Sequence, residues 1–91
     1  MEIGFDPGKD AINIERHGVS LAFGERMFDD PMMLIIPTIR AEDQEDRYKA
    51  VGMVDGKLWT AVHVYRDPIL WFVSVRRSNE GEKRAYDSHS G

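Results

Sequence analysis

Residues 47–65 read Arg47-Tyr48-Lys49-Ala50-Val51-Gly52-Met53-Val54-Asp55-Gly56-Lys57-Leu58-Trp59-Thr60-Ala61-Val62-His63-Val64-Tyr65. Two segments rich in apolar residues, Arg47 to Val54 and Lys57 to Tyr65, flank Asp55-Gly56. That dipeptide suits a two-residue turn with positive φ at both positions, so the stretch predicts a β-hairpin. In the second segment Leu58, Thr60, Val62 and Val64 share one face, and Trp59, Ala61, His63 and Tyr65 share the other. Both faces are largely apolar, which places this strand at the centre of a sheet. Asp67-Pro68 predicts the next turn, and Ile69 to Val75 the next strand, paired antiparallel with the segment from Lys57.

Working towards the N-terminus, Ala41 to Asp46 is an acidic connection with room for one helical turn. Met32 to Ile36 is a continuous apolar run and reads as a buried strand. Pro37 limits its pairing and implies an edge position or a bulge there. Ser20 caps a helix whose apolar residues are Leu21, Phe23, Met27 and Phe28, and Asp29-Asp30-Pro31 ends it. An earlier helix starts at Asp6-Pro7 with Ala11, Ile12 and Ile14 as its apolar side. Arg16 and His17 suit its last turn, and Gly18 its stop. Glu2 to Phe5 reads as a short first strand, and Asn79 to His89 as a final helix weakened by Gly81. The order is a short N-terminal strand, two helices, a three- or four-stranded antiparallel meander and a C-terminal helix. It predicts an α+β fold with helices on one face of the sheet.

The 91 residues imply one domain, 1–91, of modest intrinsic stability. The 42% hydrophobic content suffices for one core, and without cysteine neither a disulfide framework nor a thiolate zinc site can form. The longest uncharged apolar run, Pro31 to Ile39, is too short to span a membrane. The N-terminus has neither the basic start nor the apolar run of a signal peptide, so a cytoplasmic protein is expected. The net charge of −4 hides an asymmetry. Residues 1–46 hold 4 Lys/Arg against 11 Asp/Glu, and residues 47–91 hold 8 against 5. A globally acidic chain is a poor general nucleic-acid binder, because phosphate contacts dominate such affinity. A local basic site on the second half fits, as does plain charge scatter on a solvated surface.

Arg76 and Arg77 end the apolar strand that begins at Ile69, and because neighbours on a strand point to opposite faces, one can reach an exposed groove while the other reaches the following loop. Guanidinium groups bind phosphate bidentately and stay charged at physiological pH. When the 2′-hydroxyl of RNA attacks its own phosphate, charge builds on the phosphoryl oxygens, and a fixed arginine stabilises it. Two arginines at a strand end also serve as solubility or ion-pair residues. Arg40, Arg47 and Arg66 could add phosphate contacts, against the same ion-pair alternative. His63 sits mid-strand among aromatics and reads as packed, and His17 as a capping or packing residue. The three histidines lack metal-ligand spacing, so no metal is expected. Glu82 and Tyr86 lie one helical turn apart, suited to packing on the sheet or to an accessory role in a site.

Taken together, several segments resemble the BrnT family of toxins. They are Phe5-Asp6-Pro7, Lys9, Asn13, Arg16-His17-Gly18-Val19, Phe28-Asp29-Asp30-Pro31, Glu45-Asp46-Arg47-Tyr48 with Gly52, Ser74-Val75-Arg76-Arg77, Glu82 and Tyr86. No single motif is specific, but their order and spacing are. The resemblance implies a RelE-like fold and a bacterial type II toxin that cleaves RNA without a metal or cofactor and so inhibits translation. Its partners would be a BrnA-like ribbon-helix-helix antitoxin, RNA and, only through the antitoxin, operator DNA. A heterotetramer of two toxin–antitoxin pairs is expected. Arg76 and Arg77 would be catalytic and dispensable for folding. Arg66, Arg47 and Arg40 would bind substrate, with Glu82, Tyr86 and His63 as accessory residues. The chain departs from the family pattern at Phe5, Ala41, Trp71 and Glu80-Gly81. The last three remove positive or titratable groups near the expected site, and so favour the alternative of a catalytically weak, antitoxin-bound corepressor.

Overall fold

The structure is a computed structural model that describes residues 1–90. In chain order it contains β1 (Glu2–Gly4), α1 (Pro7–His17), a 3₁₀ helix (Leu21–Asp29), β2 (Leu34–Pro37), β3 (Tyr48–Val54), β4 (Lys57–Arg66), β5 (Ile69–Arg77) and α2 (Glu80–Ser90). The strands form one sheet in the order β1-β5-β4-β3-β2. Asp55 and Gly56 take φ of 50° and 79°, the left-handed pair that matches strand twist in a tight hairpin. From that turn β3 and β4 pair antiparallel from Val54↔Lys57 to Tyr48↔His63. β5 pairs antiparallel along the other side of β4, which is therefore central.

Register shifts once. Val62 faces Ser74 but His63 faces Phe72, so Val73 is an extra residue in β5. A bulge of this kind resets which side chains share a face. Phe72 and Val75 both reach the core, and Trp71 falls on the same side as Arg76.

Four expectations need correction. The sheet is mixed, because β1 pairs parallel with β5 from Glu2↔Ile69 to Gly4↔Trp71. Three residues carry no local signal of strand direction. The Met32–Ile36 run is not a buried strand: β2 begins at Leu34, is an edge strand, and alternates half-buried with exposed residues. The Ala41–Asp46 connection consists of turns and bends without a helical turn. Finally, helices cover both faces of the sheet rather than one. The core of Ala50, Val54, Ala61, Leu70, Phe72 and Val75 lies under Leu21 and Met27 of the 3₁₀ helix. Lys49, Thr60 and Arg76 alternate with core residues and instead meet α2 on the opposite face.

The second helix is 3₁₀ because its buried residues, Leu21, Gly24 and Met27, recur every three positions and eclipse on one line. Gly24 lies against Phe72, where a Cβ would stand 2.7 Å from the ring. Helix α1 also departs from its expected apolar side, since Ile12 and Ile14 are 50% and 48% exposed. Its one buried residue is Asn13. The Asn13 amide nitrogen donates to Val75 O at 2.9 Å and Val19 O at 2.8 Å, and its oxygen accepts from Val75 N at 3.0 Å. The side chain thus pairs with the edge of β5 beyond the end of β1, as a peptide group would.

Candidate functional site

The face of the sheet away from the core carries Lys49 on β3, Val62, Val64 and Arg66 on β4, and Trp71 and Arg76 on β5. Helix α2 covers one end of it. At the other end, the connection between β2 and β3 borders two adjoining hollows that share Asp43 and Arg47. Arg40, Lys49 and Val62 line one; Lys9, Glu45, Val64, Arg66, Trp71 and Val73 line the other. Together they form an open groove.

The covered end is built around Glu82. Asn79 and Glu82 form a capping box: Glu82 N donates to Asn79 Oδ1 at 2.8 Å, and Asn79 N donates to Glu82 Oε1 at 2.9 Å. The carboxylate therefore turns back towards the sheet. There it accepts from Arg76 Nη1 and Nη2 at 2.8 Å each, from Lys49 Nζ at 3.0 Å and from Thr60 Oγ1 at 2.9 Å. Burial alone would raise the Glu82 pKa. The Arg76 guanidinium, the Asn79 amide, Lys49 and Thr60 outweigh it and hold the carboxyl well below its ordinary value. Glu82 stays ionised, and Arg76 and Lys49 are held side by side on its Oε2.

The open end is built from loop carboxylates. Arg66 Nε and Nη2 donate to Glu45 at 2.8 and 2.7 Å, and the guanidinium stacks 4.5 Å from the centre of the Trp71 ring. Arg40 Nε and Nη2 donate to Asp43 at 3.1 and 3.0 Å. These bonds lower the pKa of Asp43 and Glu45, and the charge of Arg47 adds to the shift at both.

The structure thus brings Arg40, Arg47, Arg66 and Arg76 onto one face. Arg77 lies on the other side of β5, with its guanidinium 5.5 Å from the Trp59 ring centre and Nε donating to Leu58 O at 3.3 Å. The adjacent guanidinium groups lie on opposite faces, and the contact between the two residues is Arg76 Nη1 donating to Arg77 O at 3.3 Å. His63 is buried on the core side between Phe28, Tyr48 and Phe72, with Nδ1 3.1 Å from Ala61 O. Burial lowers its pKa, partly offset by the Ala61 bond. Tyr86, on the buried side of α2, donates to Asp30 Oδ2 at 2.7 Å; burial and that carboxylate push its pKa up to about 12. Lys49 was not among the sequence candidates. A lone cation between Tyr48 and Ala50 in an apolar strand was one signal for it, and the Asn79-x-x-Glu82 spacing, which marks a carboxylate turned back at a helix start, was another.

Fold and site together define a class: a small α+β protein with a groove of cationic side chains across one face of a mixed sheet. The family model for the ribonuclease toxin BrnT of type II toxin–antitoxin systems matches residues 5–82. The chain belongs to this BrnT family, whose members are type II toxins and so have a protein antitoxin as partner. No curated protein matches the chain. Among the described residues, no helix is long and apolar enough to cross a membrane.

Proposed function

We propose that the chain, as a single toxin domain of RelE-like fold, cleaves RNA laid along this groove without a metal and thereby inhibits translation. The observation that carries the proposal is the gathering of Arg40, Arg47, Lys49, Arg66 and Arg76 on one open face of a protein whose net charge is −4. These five cations outnumber the four acids on the same face, Glu42, Asp43, Glu45 and Glu82, in a chain where acids outnumber Lys and Arg overall. The attacking 2′-oxygen and the leaving 5′-oxygen both place negative charge at the phosphate. Lys49 and Arg76, fixed in advance by Glu82, need little reorganisation to meet it. Arg40, Arg47 and Arg66 would position the flanking phosphates. A requirement for both Arg76 and Arg77 would mean that RNA rounds the end of β5, since the two occupy opposite faces.

The partner in this proposal is a BrnA-like ribbon-helix-helix antitoxin, with two toxin–antitoxin pairs in the complex and DNA contacted only through the antitoxin. The pairing of Arg40 and Arg66 with loop carboxylates favours a second reading, a weak enzyme that acts mainly as antitoxin-bound corepressor. Incubating the purified chain with RNA in EDTA separates the two. Cleavage that falls about 100-fold in Lys49→Met supports the ribonuclease reading. No cleavage, together with co-purification of a DNA-binding partner, supports the second.

A further inference from the structure

The two bidentate pairs at the open end share an arrangement. In each, the Nε and Nη2 edge of an arginine, the edge that also grips phosphate, is bonded by one carboxylate, and at Arg40 a second, Glu42, stands 3.6 Å from Nε. Both carboxylates, Asp43 and Glu45, come from one short connection and alternate with Gln44. Both lie beside Arg47, whose charge lowers the pKa of each, though less than their own arginine does. Both pairs are open to solvent on the arginine side, at 59% for Arg40 and 46% for Arg66. Trp71 backs the Arg66 guanidinium at 4.5 Å.

We propose that Arg40 and Arg66 are two backbone-phosphate subsites for single-stranded RNA, occupied in the free protein by Asp43 and Glu45 as stand-ins. The proposal rests on the ribonuclease reading of the groove and adds its regulation: RNA enters by displacing the connection. The Arg66–Glu45 pair is exposed on both sides and weak, because water and salt compete for both partners, so phosphate can exchange for Glu45 at little cost; Asp43 is only 10% exposed, and the Arg40 subsite opens less readily. The same exchange keeps a cationic groove quiet towards stray polyanions. A ligand must supply two phosphates at the right spacing to open both pairs, which a free phosphate cannot do.

The test uses a 2′-O-methyl RNA oligonucleotide, which lacks the attacking hydroxyl and reports binding without cleavage. Glu45→Gln and Asp43→Asn are each expected to tighten binding about two- to fivefold at low salt. In an Arg66→Gln background Glu45→Gln should lose that gain, because the carboxylate has no subsite left to block. Glu25→Gln, an exposed acid on the 3₁₀ helix, controls for the removal of one negative charge. Equal tightening by Glu45→Gln with and without Arg66, or by Glu25→Gln, would overturn the stand-in role. So would the absence of any tightening while the wild-type chain binds RNA and Lys49→Met still loses cleavage. Failure of the underlying reading looks different: wild-type chain and every variant would leave the oligonucleotide unbound and natural RNA uncut.

Discussion

Of the three bidentate arginine–carboxylate pairs on this face, two at opposite ends have nearly equal geometry. Arg76 meets Glu82 through two bonds of 2.8 Å, and Arg66 meets Glu45 through bonds of 2.8 and 2.7 Å. Their surroundings differ. The side chains of Arg76 and Glu82 are 29% and 2% exposed, whereas those of Arg66 and Glu45 are 46% and 44% exposed. Distance alone would rank the pairs as equals. Burial decides that the first is part of the fold and the second is exchangeable, since a charge left alone in the interior is costly and one left in water is not.

The largest expected effect follows from breaking the buried pair. Arg76→Ala leaves Glu82 with only Lys49 as counter-charge and should lower stability by about 3 kcal/mol in chemical denaturation. That differs from the sequence expectation that Arg76 is dispensable for folding. A loss below about 1 kcal/mol would put the two pairs in the same class after all.

Acid titration sharpens the contrast. The folded pKa of Glu82 lies below its unfolded value of about 4.3, so the unfolded state takes up the proton first as pH falls. Its contribution is complete above that value and is lost progressively below it. Glu82→Gln should therefore flatten the stability profile from about pH 5 downwards. Glu45 is shifted in the same direction, but solvent screens its pair, and Glu45→Gln should leave the profile nearly unchanged.

Arg66→Ala is the complementary case. Its unfolding midpoint should fall only slightly, through loss of the Trp71 stack and the exposed pair, while RNA binding weakens, measured by denaturation and by titration with the 2′-O-methyl oligonucleotide. The smallest effect belongs to Arg77→Ala. A guanidinium stacked in solvent on Trp59 contributes about 0.5 kcal/mol, at the edge of what denaturation resolves.

Residues whose structure is decided by near neighbours were legible in the chain. Asp55-Gly56 predicted the hairpin, Asp6-Pro7 the start of α1, and strand alternation placed Arg76 and Arg77 on opposite faces. Features decided by distant partners were not. The direction of β1 depends on a strand more than 60 residues away, and the extra residue at Val73 leaves no composition signal. Lys49 gains its place only when Glu82, from the last helix, folds back onto β3. Ile12 and Ile14 looked like a core face because helix periodicity assumes that apolar burial docks a helix, and here Asn13 docks α1 by hydrogen bonds.

That Asn13 contact makes one backbone proton a reporter. The Val75 amide is shielded from water by a side chain of α1 and not by a neighbouring strand. Its hydrogen–deuterium exchange is therefore governed by how often the helix lifts off, whereas amides bonded between β3 and β4 wait for the sheet itself to open. A single slow-exchanging proton at the strand edge would time the undocking of the N-terminal helix separately from the unfolding of the sheet beneath it.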